Sequence, residues 1–479
     1  MRELSSVVAG QARAGSERAR DVNPARPSEV LAETLLADAS IAAEAAEAAR
    51  AAFSGWRAAS PSERGDVLRR AGDRLERDAG EIGREFAREE GKTLAEAVGE
   101  TRRAAAILHY YAGQTFEPEG DVYPSAGPAT LLYSRREPVG VVVAITPWNF
   151  PLAIPAWKIA PALAFGNAVV WKPAELVPLT SLHLFDALAE SGLPPGVLNV
   201  VLGRGSVVGS VLVTHPEVSA VTFTGSNEVG RNVQLEALQH GKKAQLELGG
   251  KNPAIVLANA DLELAAEQVA RGAFLSAGQK CTATSRVIVE RSVHDELAAR
   301  VAELARTWKV GDPLDEQTKV GPLVSDAQLE SVLGYLDVAH REHATVHAGG
   351  GRADGLGGGY FVQPTVLSGL NGESAVVRDE IFGPVAAFLP ADGYDEAVAL
   401  ANDTPFGLTA ALFTRDLGTA LRFTREIRAG VVKVNQETAG LEFHVPFGGM
   451  KESSSGSREQ GKVARDFFTE WKTVYMDPA

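Results

Sequence analysis

Apolar positions along the chain fall into two signatures. Val139-Gly140-Val141-Val142-Val143-Ala144-Ile145 is a continuous, β-branched run, the pattern of a strand buried on both faces. Ala168 to Glu175, Val197 to Leu202 and Ala220 to Phe223 repeat it, and Ala156 to Phe165 reads as a helix between the first two. Strands alternating with helices predict a mostly parallel sheet covered on both faces, with polar turns at the carboxyl ends of its strands. The second signature is rich in Ala and Glu. It predicts helices over Ser40 to Arg50, Ser60 to Ala79, Glu81 to Glu90 and Thr93 to Tyr111. Ser60-Pro61-Ser62-Glu63 supplies a cap, a proline at the first helical position and a glutamate at the third. Residues 1 to about 22 are polar and predict a loose surface segment, closed by the turn Asn23-Pro24-Ala25-Arg26-Pro27.

Further on, the pattern predicts a helix from Leu262 to Leu275, a strand from Arg286 to Glu290, and a helix-rich segment from Val293 to Glu342. Gly349 to Gly359 is dense in glycine and predicts a flexible surface loop. Arg378 to Val385 and Asn402 to Leu408 read as turns, and Gly430 to Asn435 as a strand. Two stretches alternate with period two, Thr130 to Arg136 and Trp471 to Tyr475, as half-buried strands do.

Length and composition narrow the classes. A chain of 479 residues calls for two or more domains. Apolar residues make up 45% and charged residues 23%, an ordinary globular balance. The net charge of −14 argues against a general nucleic-acid role, because phosphate neutralisation needs a basic surface. The longest apolar run falls far short of the ~20 residues of a membrane helix. Early charges at Arg2, Glu3, Arg13, Glu17 and Arg18 interrupt any secretory h-region and predict a cytoplasmic address. One cysteine among 479 residues accords with a reducing compartment, and nine scattered histidines give no metal-ligand spacing.

That cysteine carries the strongest chemical signal. Cys281 stands in Gly278-Gln279-Lys280-Cys281-Thr282-Ala283-Thr284-Ser285-Arg286. A lone cysteine is ordinarily a small buried hydrophobe. Here the glycine turn and the adjoining Lys280 predict a presented thiol whose pKa is lowered by cationic charge; the preferred reading of Lys280 itself is a side chain that projects to solvent, with tuning of the thiol as the alternative. Upstream lies Leu246-Glu247-Leu248-Gly249-Gly250-Lys251-Asn252-Pro253. A carboxylate between two leucines reads either as a strand-end charge or as a general base whose pKa is raised by desolvation. No Gly-x-Gly-x-x-Gly opens a helix after the first strand. Phe223-Thr224-Gly225-Ser226-Asn227-Glu228-Val229-Gly230 instead offers a strand, a tight turn and a helix start whose free N–H groups suit a pyrophosphate.

Glu247-Leu248-Gly249-Gly250-Lys251 and Gly278-Gln279-Lys280-Cys281, in this order and separation, resemble the two active-site motifs of the aldehyde dehydrogenase superfamily. The resemblance runs from about Asn23 to Tyr475. It implies an α/β fold with a Rossmann-like cofactor domain (1–120 and 139–248), an α/β catalytic domain (249–448) and a small β oligomerisation element (121–138 and 449–479). It also implies a homodimer or homotetramer, built through the period-two strands.

The chemistry implied is oxidation of an aldehyde to an acid through a thiohemiacetal and thioester on Cys281. Asn149 and the Cys281 backbone N–H would hold the oxyanion, Glu247 would activate water, and Lys172 completes the catalytic set. By matching motif positions, NAD, with NADP as the alternative, would meet Thr146, Pro147, Trp148, Lys172, Glu175, Gly205, Gly225, Ser226, Leu248, Gly249, Glu380 and Phe382. Glu175 would repel a 2′-phosphate by like charge, a repulsion that Arg204 could offset. The stretch Lys451-Glu452-Ser453-Ser454-Ser455-Gly456-Ser457-Arg458-Glu459-Gln460-Gly461, with Gly278 to Arg286, is similar to that of 2-oxoglutarate semialdehyde dehydrogenases. Succinate semialdehyde, or a broad range of aliphatic and aromatic aldehydes, is the other reading. Phe150, Trp157 and Thr282 are candidate substrate contacts, and Lys158, Arg286 and Arg458 are candidate cations for a substrate carboxylate. A relative that acylates coenzyme A, or a non-enzymatic binding protein, would lack Glu247 or Cys281.

Overall fold

The computed structural model describes residues 2–478. Its largest sheet has ten strands. Five run parallel at its centre, in the order Lys243–Glu247, Val218–Thr224, Val141–Ile145, Ala168–Lys172 and Leu198–Val200. The continuous apolar runs have a direct cause. Val142, Ala144, Val169 and Trp171 pack into one core, while Val141, Val143, Ala168 and Val170 pack into another on the opposite face. Neither face meets water, so neither set of alternate residues is polar. Each fully buried valine contributes about 1.5–3 kcal/mol.

Helices cover this sheet where the sequence predicts them. Pro61–Arg77 starts with a complete capping box between Ser60 and Glu63, and Leu94–Gln114 with another between Thr93 and Glu96. The helices Ala39–Ala58 and Ala79–Glu90 complete this layer.

The N-terminal expectation is overturned. Arg2–Val8, Glu17–Asn23 and Arg26–Leu36 are strands that extend the large sheet, the first pairing antiparallel with Leu198–Val200 and parallel with the third. Their charged residues Arg2, Glu3, Glu17, Arg18 and Arg20 are exposed, while the polar Ser6, Asp21 and Asn23 are buried with Leu4 and Val8, so the strands are polar in composition without being loose. The short strand Ser454–Ser455 joins the other edge, beside Lys243–Glu247, within the span expected for the oligomerisation element.

A second sheet of seven strands holds Asn252–Val256 and Thr284–Glu290 side by side near its middle. All its pairings are parallel except that of Thr345–Ala348 with Thr365–Ser368. Thr469–Met476, Leu131–Pro138 and Val122–Tyr123 form a third, antiparallel sheet. It leaves Trp471, Tyr475, Met476, Leu131, Val122 and Tyr123 exposed. No helix among the described residues is long and apolar enough to cross a membrane.

Candidate active site

Parallel register brings the polar turns of the large sheet together. Ile145 pairs with both Lys172 and Phe223, and Thr224 pairs with Glu247. The strand ends that carry Thr146, Lys172, Gly225 and Glu247 therefore share one edge. The chain then passes through Leu248 to Lys251 into the second sheet, where Asn252 pairs with Thr284. The Asn252 amide donates to the Cys281 carbonyl at 2.8 Å and to that of Ala283 at 2.9 Å. A Cβ on Gly250 would lie 2.6 Å from the Cys281 carbonyl oxygen, so only glycine permits this approach.

Cys281 follows an unusual backbone. Ser276, Ala277 and Gly278 all have positive φ, at 56°, 52° and 69°. The left-handed region costs an L-residue roughly 1–2 kcal/mol, so the two non-glycine positions need outside support. Glu96 Oε1 supplies it by accepting the Ser276 N–H and hydroxyl. A side chain at Gly278 would run into the Gly383 carbonyl.

Pro147, Trp148, Asn149, Ile154, Thr224, Gly225, Ser226, Leu248, Gly249, Cys281, Gln328, Glu380 and Phe382 line one cavity of about 240 Å³. Asn149 is held from both ends: Lys92 donates to its carbonyl, and its side-chain amide donates to the Gln279 carbonyl at 3.0 Å. The second amide hydrogen stays available. Glu100 Oε1 accepts the N–H groups of Leu152 and Ala153 at the start of the helix Ala153–Ala164, which fixes the Asn149 turn on its scaffold. Phe382 meets Trp148 edge-on at 5.4 Å.

The thiol departs from expectation. Burial, then the Glu380 and Glu247 carboxylates, push the Cys281 thiol up, against a smaller opposing pull from the Cys281 and Thr282 N–H groups. Lys280 neither tunes the sulfur nor reaches solvent. It is buried, its pKa is lowered by burial, and its ammonium donates to the Arg271 carbonyl at 3.3 Å. The ammonium is committed to that carbonyl, so adjacency in sequence did not bring its charge to the sulfur.

The carboxylates follow the desolvation logic. Glu247 is raised well above its ordinary value, by burial first and by Glu459 second, against a hydrogen bond from the Ser454 hydroxyl at 2.6 Å to Oε2. Its Oε1 is buried without a hydrogen-bond partner among the described residues. Glu380 is raised to about 7 by burial, although its Oε1 accepts the Gly250 N–H at 2.9 Å.

A second cluster lies where the strand Ala168–Lys172 ends. Lys172 Nζ stands 3.4 Å from Glu175 Oε1, which also accepts the Gly205 N–H at 2.8 Å. Burial lowers the Lys172 pKa, and Glu175 opposes that. Arg204 pairs with Glu17 (Nε to Oε1 2.8 Å). Thr146 lies beneath, accepting the Trp171 indole N–H at 2.9 Å.

Two of the three candidate substrate cations are engaged elsewhere. Lys158 is buried and ion-paired with Glu459, and it donates to the Thr222 hydroxyl at 2.8 Å. Trp157 donates to the other Glu459 oxygen at 2.7 Å. Arg286, also buried, donates to the carbonyls of Lys251, Leu400 and Ala401; burial lowers its pKa to about 10. Arg458 is half-buried, and its charge lowers Glu247. Phe150 lies under the Lys92 ammonium at 3.8 Å, and Thr282 accepts the Thr438 hydroxyl at 2.7 Å. Sequence reasoning missed Glu459, Thr222, Ser454, Glu96 and Asn252. A glutamate flanked by Arg458 and Gln460 reads as surface, and only the burial of Lys158 identifies it as a partner.

Comparison with known proteins accords with this arrangement. Residues 11–474 match the family described as Aldehyde dehydrogenase family. An alpha-ketoglutaric semialdehyde dehydrogenase of Bacillus subtilis is 46% identical over 458 residues, covering 95% of this chain and 94% of that protein. An alpha-ketoglutarate semialdehyde dehydrogenase of Haloferax volcanii is 47% identical, at 95% and 94% coverage. The crystal structure of betaine aldehyde dehydrogenase from Staphylococcus aureus in complex with NAD+ superposes with a TM-score of 0.96 at 34% identity, covering 99% of this chain and 95% of that one.

Proposed function

Because the chain belongs to the aldehyde dehydrogenase family, we propose that it oxidises 2-oxoglutarate semialdehyde to 2-oxoglutarate with NAD. One observation carries the chemistry: Cys281, Asn149, Glu380 and Phe382 line a single cavity, with the Glu247 carboxylate close enough to shift the thiol. The names of the two semialdehyde dehydrogenases, nearly full-length relatives, support the substrate.

The residues present fit the cofactor. Thr224 Oγ1 is buried without a partner among the described residues and lines the cavity. Gly249 leaves room where a Cβ would strike Glu380 Oε2. The Gly225-Ser226 turn opens the helix Asn227–Gln239, whose first N–H groups suit a phosphate. Glu175 and Lys172 would hold the adenosine ribose, and Glu380 with Phe382 the nicotinamide end. The Glu175 carboxylate disfavours a 2′-phosphate, and Glu17 already occupies the Arg204 charge. NAD, when bound, accepts the two electrons and the hydrogen removed from the substrate carbon.

The protein supplies everything else. The Cys281 thiol must first lose its proton, and Glu247, whose Oε1 has no hydrogen-bond partner among the described residues, is the base assigned to take it. The sulfur attacks the aldehyde carbon. The free Asn149 amide hydrogen and the Cys281 N–H hold the resulting oxyanion, each such donor being worth about 3 kcal/mol of barrier. Glu247 must pass the thiol's proton on to solvent before it acts again; it then takes a proton from water, whose oxygen attacks the thioester and releases the acid and the Cys281 thiolate. The Glu459–Lys158–Thr222 group stands behind Glu247, where the Glu459 charge keeps its proton affinity high.

The remaining assignments rest on the same resemblance. The first two sheets correspond to the cofactor and catalytic domains. The third, with its exposed Trp471, Tyr475 and Met476, suits pairing with a second copy of the chain into a dimer or tetramer. A cytoplasmic address is the accompanying reading. Initial rates of NADH and NADPH formation test the proposal on 2-oxoglutarate semialdehyde, succinate semialdehyde, glutaraldehyde, benzaldehyde and propanal. A kcat/KM at least tenfold higher for the carboxylated aldehydes is expected, and a flat profile or a benzaldehyde preference would overturn the substrate.

A further inference from the structure

A substrate that ends in a carboxylate needs a cation beyond Cys281, and neither Lys158 nor Arg286 is free to serve. The structure offers another candidate, Arg103. Arg103 lies on the helix Leu94–Gln114, one turn past Glu100, the residue that anchors the Asn149 turn through Leu152 and Ala153. Its guanidinium reaches across 338 residues of sequence to the Leu441 carbonyl. No carboxylate lies within ion-pair distance of it among the described residues. The carboxylates whose charge it feels are Glu442 and Glu100. Glu442 is largely exposed, and Glu100 is already bonded to Lys92 at 2.8 Å and to the two backbone N–H groups.

Three connections locate Arg103 on the substrate side of the nucleophile. Thr438 donates to the carbonyl of Thr282, the residue after Cys281. From Thr438 to Leu441 is three residues of chain, at most about 10 Å even when extended. Phe150, the residue after Asn149, is held beneath Lys92, which bonds to the same Glu100. Phe443 packs edge-on against Tyr110, further along the Arg103 helix, at 5.9 Å. Leu441 thus touches Arg103, Phe150 is linked to its helix through Lys92 and Glu100, and Thr282 to Leu441 through the Thr438 segment; none of the three lines the cavity that holds Gly225, Glu380 and Phe382. Lys433, which donates to the carbonyls of Ala439 and Gly440, adds a second positive charge near Arg103.

We propose that Arg103 binds the distal carboxylate of the substrate and so selects short aldehydes that end in a carboxylate. This rests on the reading of the site as that of a semialdehyde dehydrogenase. The planar guanidinium keeps donors beyond the one given to Leu441, and a carboxylate accepts two in parallel. Half-desolvated and without an anion of its own, Arg103 gains an ion pair only when such a substrate is bound.

The test compares the wild-type enzyme with Arg103→Met, Arg103→Lys and Arg458→Met on 2-oxoglutarate semialdehyde and propanal. In Arg103→Met, kcat/KM should fall at least tenfold more for the carboxylated aldehyde than for propanal, mainly through KM. Arg103→Lys should recover part of the loss. Glutarate should slow iodoacetamide labelling of Cys281 in the wild type and not in Arg103→Met. Equal losses on both aldehydes would mean a structural role and overturn the proposal, as would glutarate protection that survives in Arg103→Met. Should Arg458→Met erase the preference while Arg103→Met keeps it, the carboxylate site is elsewhere and the substrate reading stands. A wild-type enzyme with no preference for the carboxylated aldehyde overturns that reading itself.

Discussion

Glu96 Oε1 accepts the Ser276 N–H at 2.8 Å and the Ser276 hydroxyl at 3.1 Å. Its other oxygen closes the capping box on Thr93 at the start of Leu94–Gln114. One carboxylate thereby ties a helix of the first layer to the left-handed turn that presents the nucleophile. Hydrogen bonds to a charged group are worth about 1.5–3 kcal/mol, enough to offset two left-handed residues. Glu96→Ala should lower kcat/KM by about tenfold or more, equivalent to about 1.4 kcal/mol, and lower the thermal midpoint, while NAD affinity measured by calorimetry stays near wild type. An unaltered kcat/KM would show that the turn holds itself.

Glu247 has one oxygen bonded to Ser454 and one with no partner among the described residues, as a base awaiting a water requires. Glu247→Gln keeps the shape and removes the proton acceptor. If thiol activation survives, the variant should give a burst of about one NADH per active site followed by a steady state at least 100-fold slower, typical of a lost general base. Stopped-flow fluorescence reads both phases. A steady rate equal to wild type would remove Glu247 from the hydrolytic step.

Thiol reactivity gives a pH signature. Burial pushes the Cys281 thiol up, so the reactive thiolate is a minority whose fraction grows about tenfold per pH unit below the thiol pKa. Iodoacetamide labelling of the cofactor-free protein should climb in this way from pH 6 to 9 without a plateau. A plateau near pH 7 would mean that a cation, as the sequence suggested for Lys280, does act on the sulfur.

A second pH dependence belongs to Glu380, raised to about 7 chiefly by burial. Below pH 7 the carboxyl is mostly protonated and can no longer accept at both oxygens; above pH 7 it is ionised. If the ionised form is the one that holds a ribose, NAD+ binding should tighten as pH rises from 6 to 8, by up to about tenfold, the change in ionised fraction. Glu380→Gln should flatten that slope. Tightening with falling pH would contradict the assignment.

What was legible in the sequence was mostly local. Ser60, Pro61 and Glu63 announce the helix they cap, and the run Val141–Ile145 announces a strand buried on both sides, because the causes lie within a few residues. The strands Arg2–Val8 and Glu17–Asn23 were not legible because charged residues open each of them and polar Ser6, Asp21 and Asn23 take buried positions, so only their pairing partners reveal them. Cys281, Glu247 and Asn149 stand in motifs. The roles of Glu459, Glu96 and Arg103 are not legible locally, since each acts on a residue 180 or more positions away. Lys280 shows the converse error, in which a neighbour in sequence commits its charge elsewhere.

The passage from the large sheet to the second one is Leu248 to Lys251, between the strand that ends in Glu247 and the strand that starts at Asn252. Each residue added to or removed from an extended segment changes its reach by about 3.3 Å, more than the whole tolerance of a hydrogen bond. The length of this connection is therefore as much a part of the enzyme as the identity of its side chains. Descendants of this chain should be free to lengthen the Gly349–Gly359 loop, where four glycines have open space around them. They should hold the count between Glu247 and Asn252 fixed, whatever substrate they come to use.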